Sequence, residues 1–159
     1  MNPIHVAIIP DGNRRWAKKV GIVEYLAHSI SGDYKNLLNL FEEAINLEIS
    51  YLSIWAFSNE NWNREEKEVN EILDVIERGI DSFTRASVKD QYRFKIIGNR
   101  EKINQRLVNK IKSLEEITKN YSRINIILGI DYGGRNEIIR AVNDAIKIGE
   151  RVNEDSFKL

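Results

Sequence analysis

Four short runs rich in apolar, β-branched and aromatic residues alternate with amphipathic stretches, and this alternation limits the folds open to the chain. The runs are "IHVAII" at 4–9, "YLSIWAF" at 51–57, "YRFKII" at 92–97 and "INIILGI" at 124–130. The first, second and fourth are nearly continuous apolar runs, as expected of strands buried on both faces. Between them lie residues at helical spacing. Leu37, Phe41, Ala44 and Ile45 mark one helix, and Val69, Ile72, Leu73, Ile76, Ile80 and Phe83 a longer one. Ile103, Leu107, Ile111 and Leu114 mark a third, and Ile138, Ile139, Val142 and Ile146 a fourth. Each has one apolar stripe opposite charges, so each is expected to lie against a sheet. Strands alternating with helices predict an α/β fold: a mainly parallel central sheet with helices on both faces.

The chain has 159 residues, which fits a single domain. No internal repeat, low-complexity tract or linker breaks it. The polar end "KIGERVNEDSFKL", with a lone Phe157 and Leu159, reads as a connection into a further helix. Lysine plus arginine and aspartate plus glutamate both number 24, so the formal net charge is zero. That balance argues against a general nucleic-acid binder. Cysteine is absent, which excludes disulfides and thiolate metal sites and is compatible with a reducing cytosol. The first strand begins by Ile4, leaving no room for a signal peptide, and no apolar run is long enough to span a membrane. A cytoplasmic protein is expected, with membrane contact at most peripheral, through a lipid product.

Ligands of open α/β sheets bind beyond the carboxyl ends of the strands. "PDGNRRW" sits at such an end, with a helix starting near Asn13. Helix N-terminal N–H groups attract anions, Gly12 permits close backbone approach, and Arg14 and Arg15 supply guanidinium forks for phosphate oxygens. A carboxylate here, Asp11, repels phosphate unless a cation stands between them, and Mg²⁺ takes one or two carboxylates plus substrate phosphates. A Mg²⁺-assisted diphosphate site follows. The competing reading is a plain Asp-Gly turn beside a solvated face.

The second strand ends in "AFSNENWNR". Ser58, Asn59, Glu60, Asn61 and Arg64 are polar, while Phe57 and Trp62 are large aromatics, so the loop suits a ligand with an apolar body and a charged head. Glu60 or Asn61 is placed to orient a group or accept a proton. Asn63 ahead of Glu65 and Glu66 also reads as a helix cap. His28 stands alone as either a structural residue or a phosphate partner. "DYGGRNEI" at 131–138 reads as a strand-to-helix turn, with Arg135 a candidate to face the site.

Together, "HVAIIPDGNRRWAKK", "AFSNENWNR", "FKIIGNRE" and "DYGGRNEI" resemble the cis-prenyltransferase family, which includes undecaprenyl diphosphate synthase. The resemblance implies a cis-prenyltransferase-like layered fold and condensation of isopentenyl diphosphate onto an allylic diphosphate such as farnesyl diphosphate, with Mg²⁺. By the same resemblance, Asp11 is the catalytic aspartate that positions the metal. Gly12, Asn13, Arg14 and Arg15 cradle the allylic diphosphate, Trp16 lies beside the allylic group, and His28 contacts the diphosphate. Ser58, Asn59 and Glu60 are a substrate-contacting triplet, Asn61 assists proton removal, and Trp62 and Arg64 are further substrate contacts. The stripe Val69, Ile72, Leu73, Ile76 and Ile80 is a candidate tunnel wall, competing with an ordinary core role. Family members are usually homodimers.

There are departures. Arg14 replaces a glycine of many bacterial members, Glu24 stands where many have a substrate-binding arginine, and the spacing from His28 to the second motif is about two residues longer. The family's Arg-…-Glu-…-Arg-Leu-Ser segment for isopentenyl diphosphate, and a later metal-binding glutamate, have no match here. The resemblance therefore corresponds to the N-terminal two-thirds of a member lacking its C-terminal part, which is expected to bind the allylic partner and to be impaired in elongation alone. A non-catalytic partner subunit of a heteromeric enzyme is the alternative. An unrelated phosphate-binding α/β domain, such as a phosphatase, is a third reading. No Asp-Asp pair occurs, which disfavours the trans-type synthases.

Overall fold

The computed structural model describes residues 3–23, 26–31, 33–149 and 151–153; Glu24, Phe157 and Leu159 lie outside them. The elements run β1 (Ile4–Ile8), α1 (Asn13–Val20), α2 (Leu26–Ser31), α3 (Tyr34–Asn46), β2 (Ile49–Ser58), a short 3-10 helix (Asn59–Asn63), α4 (Glu66–Asp90), β3 (Tyr92–Ile97), α5 (Gln105–Thr118), β4 (Ile124–Tyr132) and α6 (Gly134–Ile148). The strands form one parallel sheet in the order β1-β2-β4-β3. All four strands, and the four apolar stripes apart from Ile103, therefore lie in elements of the expected type.

Burial departs from expectation in a regular way. In β2, Leu52 and Ile54 are buried while Tyr51, Ser53 and Trp55 are not; in β3, Tyr92, Phe94 and Ile96 are buried while Arg93 and Lys95 are exposed. Strand side chains alternate between faces, so the core lies on one face of the sheet. α3 and α4 cover that face: Phe41 of α3 packs its ring against Phe83 of α4 and against Tyr92 and Phe94 of β3. The α/β fold with a parallel sheet is as expected, but β2 and β3 alternate in burial rather than being buried on both sides. β1 is an edge strand and mostly exposed. In β4 four successive residues, Leu128, Gly129, Ile130 and Asp131, are buried.

α5 seals the other edge. Phe94 N donates to Thr118 Oγ1 at 3.1 Å and Ile96 N to Glu115 Oε1 at 2.9 Å, which caps two strand donors that otherwise invite another chain. Its apolar stripe begins one turn later than the sequence pattern: Ile103 precedes the N-cap Asn104, whose side chain accepts from Leu107 N at 2.8 Å. α6 is the clearest correction. Its stripe does not lie against the sheet; Ile138, Ile139 and Ile146 are 49%, 58% and 66% exposed, and no residue of the helix is buried.

The ends of β2 and β4 are shaped by irregular pairing. Their register shifts between Trp55 and Phe57 and again between Phe57 and Ser58. Such bulges bend a strand and re-aim its side chains. Here they return Phe57 to the core and turn the following polar loop across the strand ends.

Candidate active site

A cavity of about 440 Å³ opens at the carboxyl ends of β1, β2 and β4. Its mouth carries Asp11, Asn13, His28, Ser58, Glu60, Asn61 and Arg64; its body is lined by Leu37, Ile72, Val75, Ile76, Ile80, Phe83 and Leu128, among others. A second, polar chamber of about 390 Å³ adjoins it, walled by Gly12, Arg14, Arg15 and Lys18 and sharing Asp11, Asn13, His28 and Arg64. A charged lip thus leads into an apolar interior. Of the proposed tunnel stripe, Ile72, Ile76 and Ile80 face the cavity, whereas Val69 and Leu73 do not line it.

The first motif builds the lip. Gly12 caps α1 at φ 100°, in the left-handed region that glycine enters freely. The turn places Gly12 N 2.6 Å from Asp11 Oδ1 and Arg15 Nη2 3.1 Å from Asp11 Oδ2. Both side chains of that ion pair are more than three-quarters exposed, so the pair contributes little to stability and can exchange partners cheaply. Trp16 lines neither chamber and is 43% exposed on α1.

The second motif divides. Ser58, Glu60, Asn61 and Arg64 line the cavity. Asn61 Oδ1 also accepts from Ser58 N at 2.9 Å, part of a capping box that sets the 3-10 turn. Asn59 and Trp62 do not line the cavity and are held elsewhere. Both donate to the carboxylate of Asp131, Trp62 Nε1 at 2.8 Å and Asn59 through Nδ2. The Trp62 ring stands edge-on to Phe57 at 5.0 Å. The two aromatics of this polar loop thus serve packing. Asn63 ends the 3-10 helix, and the N-cap of α4 is Glu65.

"DYGGRNEI" supplies the anchor rather than a ligand group. Asp131 is 2% exposed and sits at φ 51°. A Cβ on Gly133 would stand 2.2 Å from Asn59 Oδ1, and one on Gly98, at φ 122°, 2.0 Å from the Ile130 carbonyl oxygen. These glycines exist because the ends of β2, β3 and β4 pack that closely. Arg135 is exposed and lines neither chamber.

Glu68, on the first turn of α4, was not singled out in the sequence. It accepts from Arg64 Nη1 at 2.6 Å and pairs with His28 Nε2 at 3.0 Å. Burial alone raises its pKa, but the hydrogen bonds from His28 and Arg64 outweigh that and hold the carboxyl below its ordinary value. An i,i+4 relation to Arg64 was the one available signal.

Among the described residues there is no cluster of three metal-ligating side chains. Asp11, exposed where the two chambers meet, suits an ion shared with substrate phosphates rather than one caged by protein.

The family model for undecaprenyl diphosphate synthase, a prenyltransferase, matches residues 9–158. The chain belongs to this family. An isoprenyl transferase of Aquifex pyrophilus is 38% identical over 156 residues, covering 98% of this chain and 67% of that protein. Dehydrodolichyl diphosphate synthase 3 of Arabidopsis thaliana is 37% identical over 149 residues, which is 94% of this chain and 49% of that one. Among solved structures, lavandulyl diphosphate synthase from Lavandula x intermedia, in complex with dimethylallyl diphosphate, superposes with a TM-score of 0.85 at 29% identity, over 98% of this chain and 67% of its own. The chain thus spans between half and two-thirds of these family members.

Proposed function

We propose that this chain provides the allylic diphosphate site of a cis-prenyltransferase, which joins isopentenyl diphosphate to an allylic diphosphate such as farnesyl diphosphate. The observation that carries the reading is a cation-rich chamber adjoining an apolar cavity at the strand ends. A prenyl diphosphate has the same two halves. The diphosphate meets Arg14, Arg15, Arg64 and the N–H groups of the first turn of α1; the hydrocarbon runs along Ile72, Ile76 and Ile80 toward Phe83.

When the allylic C–O bond breaks, charge gathers on the departing diphosphate. Donors already aimed at those oxygens stabilise it without reorganisation. Asp11 would hold Mg²⁺, which would supply charge neutralisation at the diphosphate. The exposed Asp11–Arg15 ion pair is weak, so Arg15 can turn to a phosphate oxygen. Asn61, anchored by its bond to Ser58 N, is placed at the lip to orient the group that takes the proton.

A photoreactive allylic diphosphate, with its label at the end of the hydrocarbon, tests this orientation. Labelling is expected in the peptide spanning Ile72 to Phe83 and should be suppressed by excess farnesyl diphosphate. Labelling confined to the exposed face of α6, or unaffected by competitor, contradicts it. Incorporation of labelled isopentenyl diphosphate into an extractable polyprenyl product, in the presence of Mg²⁺, tests the condensation.

A further inference from the structure

α4 carries two carboxylates that the fold buries, Glu68 and Glu77. Each is met by two basic side chains. Glu77 takes Arg106 at 2.8 Å and Lys110 at 2.9 Å, both from α5, so that cluster fastens one helix to another. Glu68 takes Arg64 and His28, which line both chambers, whereas Arg106 and Lys110 line neither. Glu68 itself lines neither chamber. Its effect on a ligand must therefore pass through its two partners.

His28 comes from α2 and Arg64 from the loop ahead of α4, and their nitrogens approach to 3.4 Å. Both contact the same carboxylate oxygen, Glu68 Oε1. A guanidinium has five N–H donors in a rigid plane, so fixing one sets the direction of the rest. An imidazole anchored through Nε2 presents Nδ1 as its second polar atom.

We propose that Glu68 is a positioning residue whose buried carboxylate holds His28 and Arg64 in the arrangement that receives the diphosphate. This rests on the reading of the cavity as an allylic diphosphate site. Simple charge balance makes the opposite prediction. If Glu68 only neutralised its neighbours, removing it would leave them uncompensated, and a diphosphate would bind more tightly.

Calorimetric titration of the chain with inorganic pyrophosphate, farnesyl diphosphate and farnesol, all with Mg²⁺, separates the two. Glu68→Ala is expected to weaken both diphosphates roughly 10- to 100-fold, as for outer-shell partners of metal ligands, and to leave farnesol unchanged. Glu68→Gln keeps one acceptor oxygen and nearly the same shape, so an intermediate loss is expected. Glu77→Ala breaks a comparably buried cluster on the same helix and should lower thermal stability without changing diphosphate affinity. Unchanged or tighter pyrophosphate binding by Glu68→Ala overturns the proposal, as does an equal loss in Glu77→Ala. If Glu68→Ala does not fold, Glu68→Gln decides by the same criterion. If the unaltered chain binds no diphosphate, the functional reading fails instead. The ¹⁵N signals of the His28 ring and Arg64 guanidinium, compared between unliganded parent and Glu68→Gln, then decide the tether alone; identical signals would overturn it.

Discussion

Gly98 shows how a single residue can fix the geometry of a site it does not line. At φ 122°, with the Ile130 carbonyl oxygen 2.0 Å from any added Cβ, it admits no side chain. Gly98→Ala is expected to cost about 3 kcal/mol or more, from backbone strain and overpacking together, measurable by urea unfolding. Asp131 is the complementary case. Asp131→Ala leaves the Trp62 indole N–H and the Asn59 amide without their acceptor, for a loss of about 2–3 kcal/mol. Tryptophan fluorescence should shift in the same variant as Trp62 loosens from Phe57. Little of this was visible in the sequence. Gly98 drew no reading of its own, and Trp62 and Asn59 read as ligand groups, because Asp131, which accepts from both, lies on another strand 69 and 72 residues away. Asp11, Asn61 and Arg64 stand out as charged or amide groups soon after apolar runs and His28 as a lone histidine, and all four line the cavity.

At the scale of elements, α4 divides its one apolar stripe between two tasks. Ile80 is 1% exposed and belongs both to the core and to the cavity wall, while Ile76 is only partly buried and faces the cavity. Periodicity identified the helix, but not this division, because spacing records which face is apolar and not what lies opposite. α6 makes the same point more sharply: its pattern matches a packed helix, yet Ile146 is 66% exposed. Ile146→Ser should therefore change stability by no more than about 0.5 kcal/mol, whereas Ile111→Ala, on the fully buried stripe of α5, should cost about 2–5 kcal/mol. Thermal unfolding of both variants checks the contrast.

The buried carboxylates of α4 also predict an acid response. For Glu77, burial raises the pKa, but hydrogen bonds from Lys110 and Arg106 outweigh it and the group ends below the carboxylate value of 4.5. Glu68 behaves alike. A folded pKa below the unfolded one gives stability that is complete above the unfolded value and is lost as pH falls through the folded one. Unfolding free energy should accordingly be flat above about pH 5 and drop below about pH 4. Glu77→Gln should be less stable at neutral pH and show a shallower acid slope, measured by urea unfolding across that range.

For the whole molecule, the order of elements was legible and the distribution of cover was not. Alternating strands and helices gave a parallel sheet with a site at its carboxyl edge, and the cavity is there. Continuous apolar runs implied burial on both sides of each strand, whereas β2 and β3 alternate and only a stretch of β4, Leu128–Asp131, is continuously buried. The balanced charge of the chain hides a local asymmetry, since Arg14, Arg15, Lys18 and Arg64 gather around one chamber. That local field, beside an apolar interior, underlies the proposed function, in which head and tail of one prenyl diphosphate would meet two adjoining compartments. Equilibrium titration with farnesyl diphosphate, pyrophosphate and farnesol, with Mg²⁺ and then with a chelator, tests it most directly. One site per chain is expected, binding farnesyl diphosphate at least about tenfold more tightly than either half, a gap of about 1.4 kcal/mol, and more weakly once Mg²⁺ is removed. Farnesyl diphosphate binding no better than pyrophosphate or farnesol, or not at all, would contradict it.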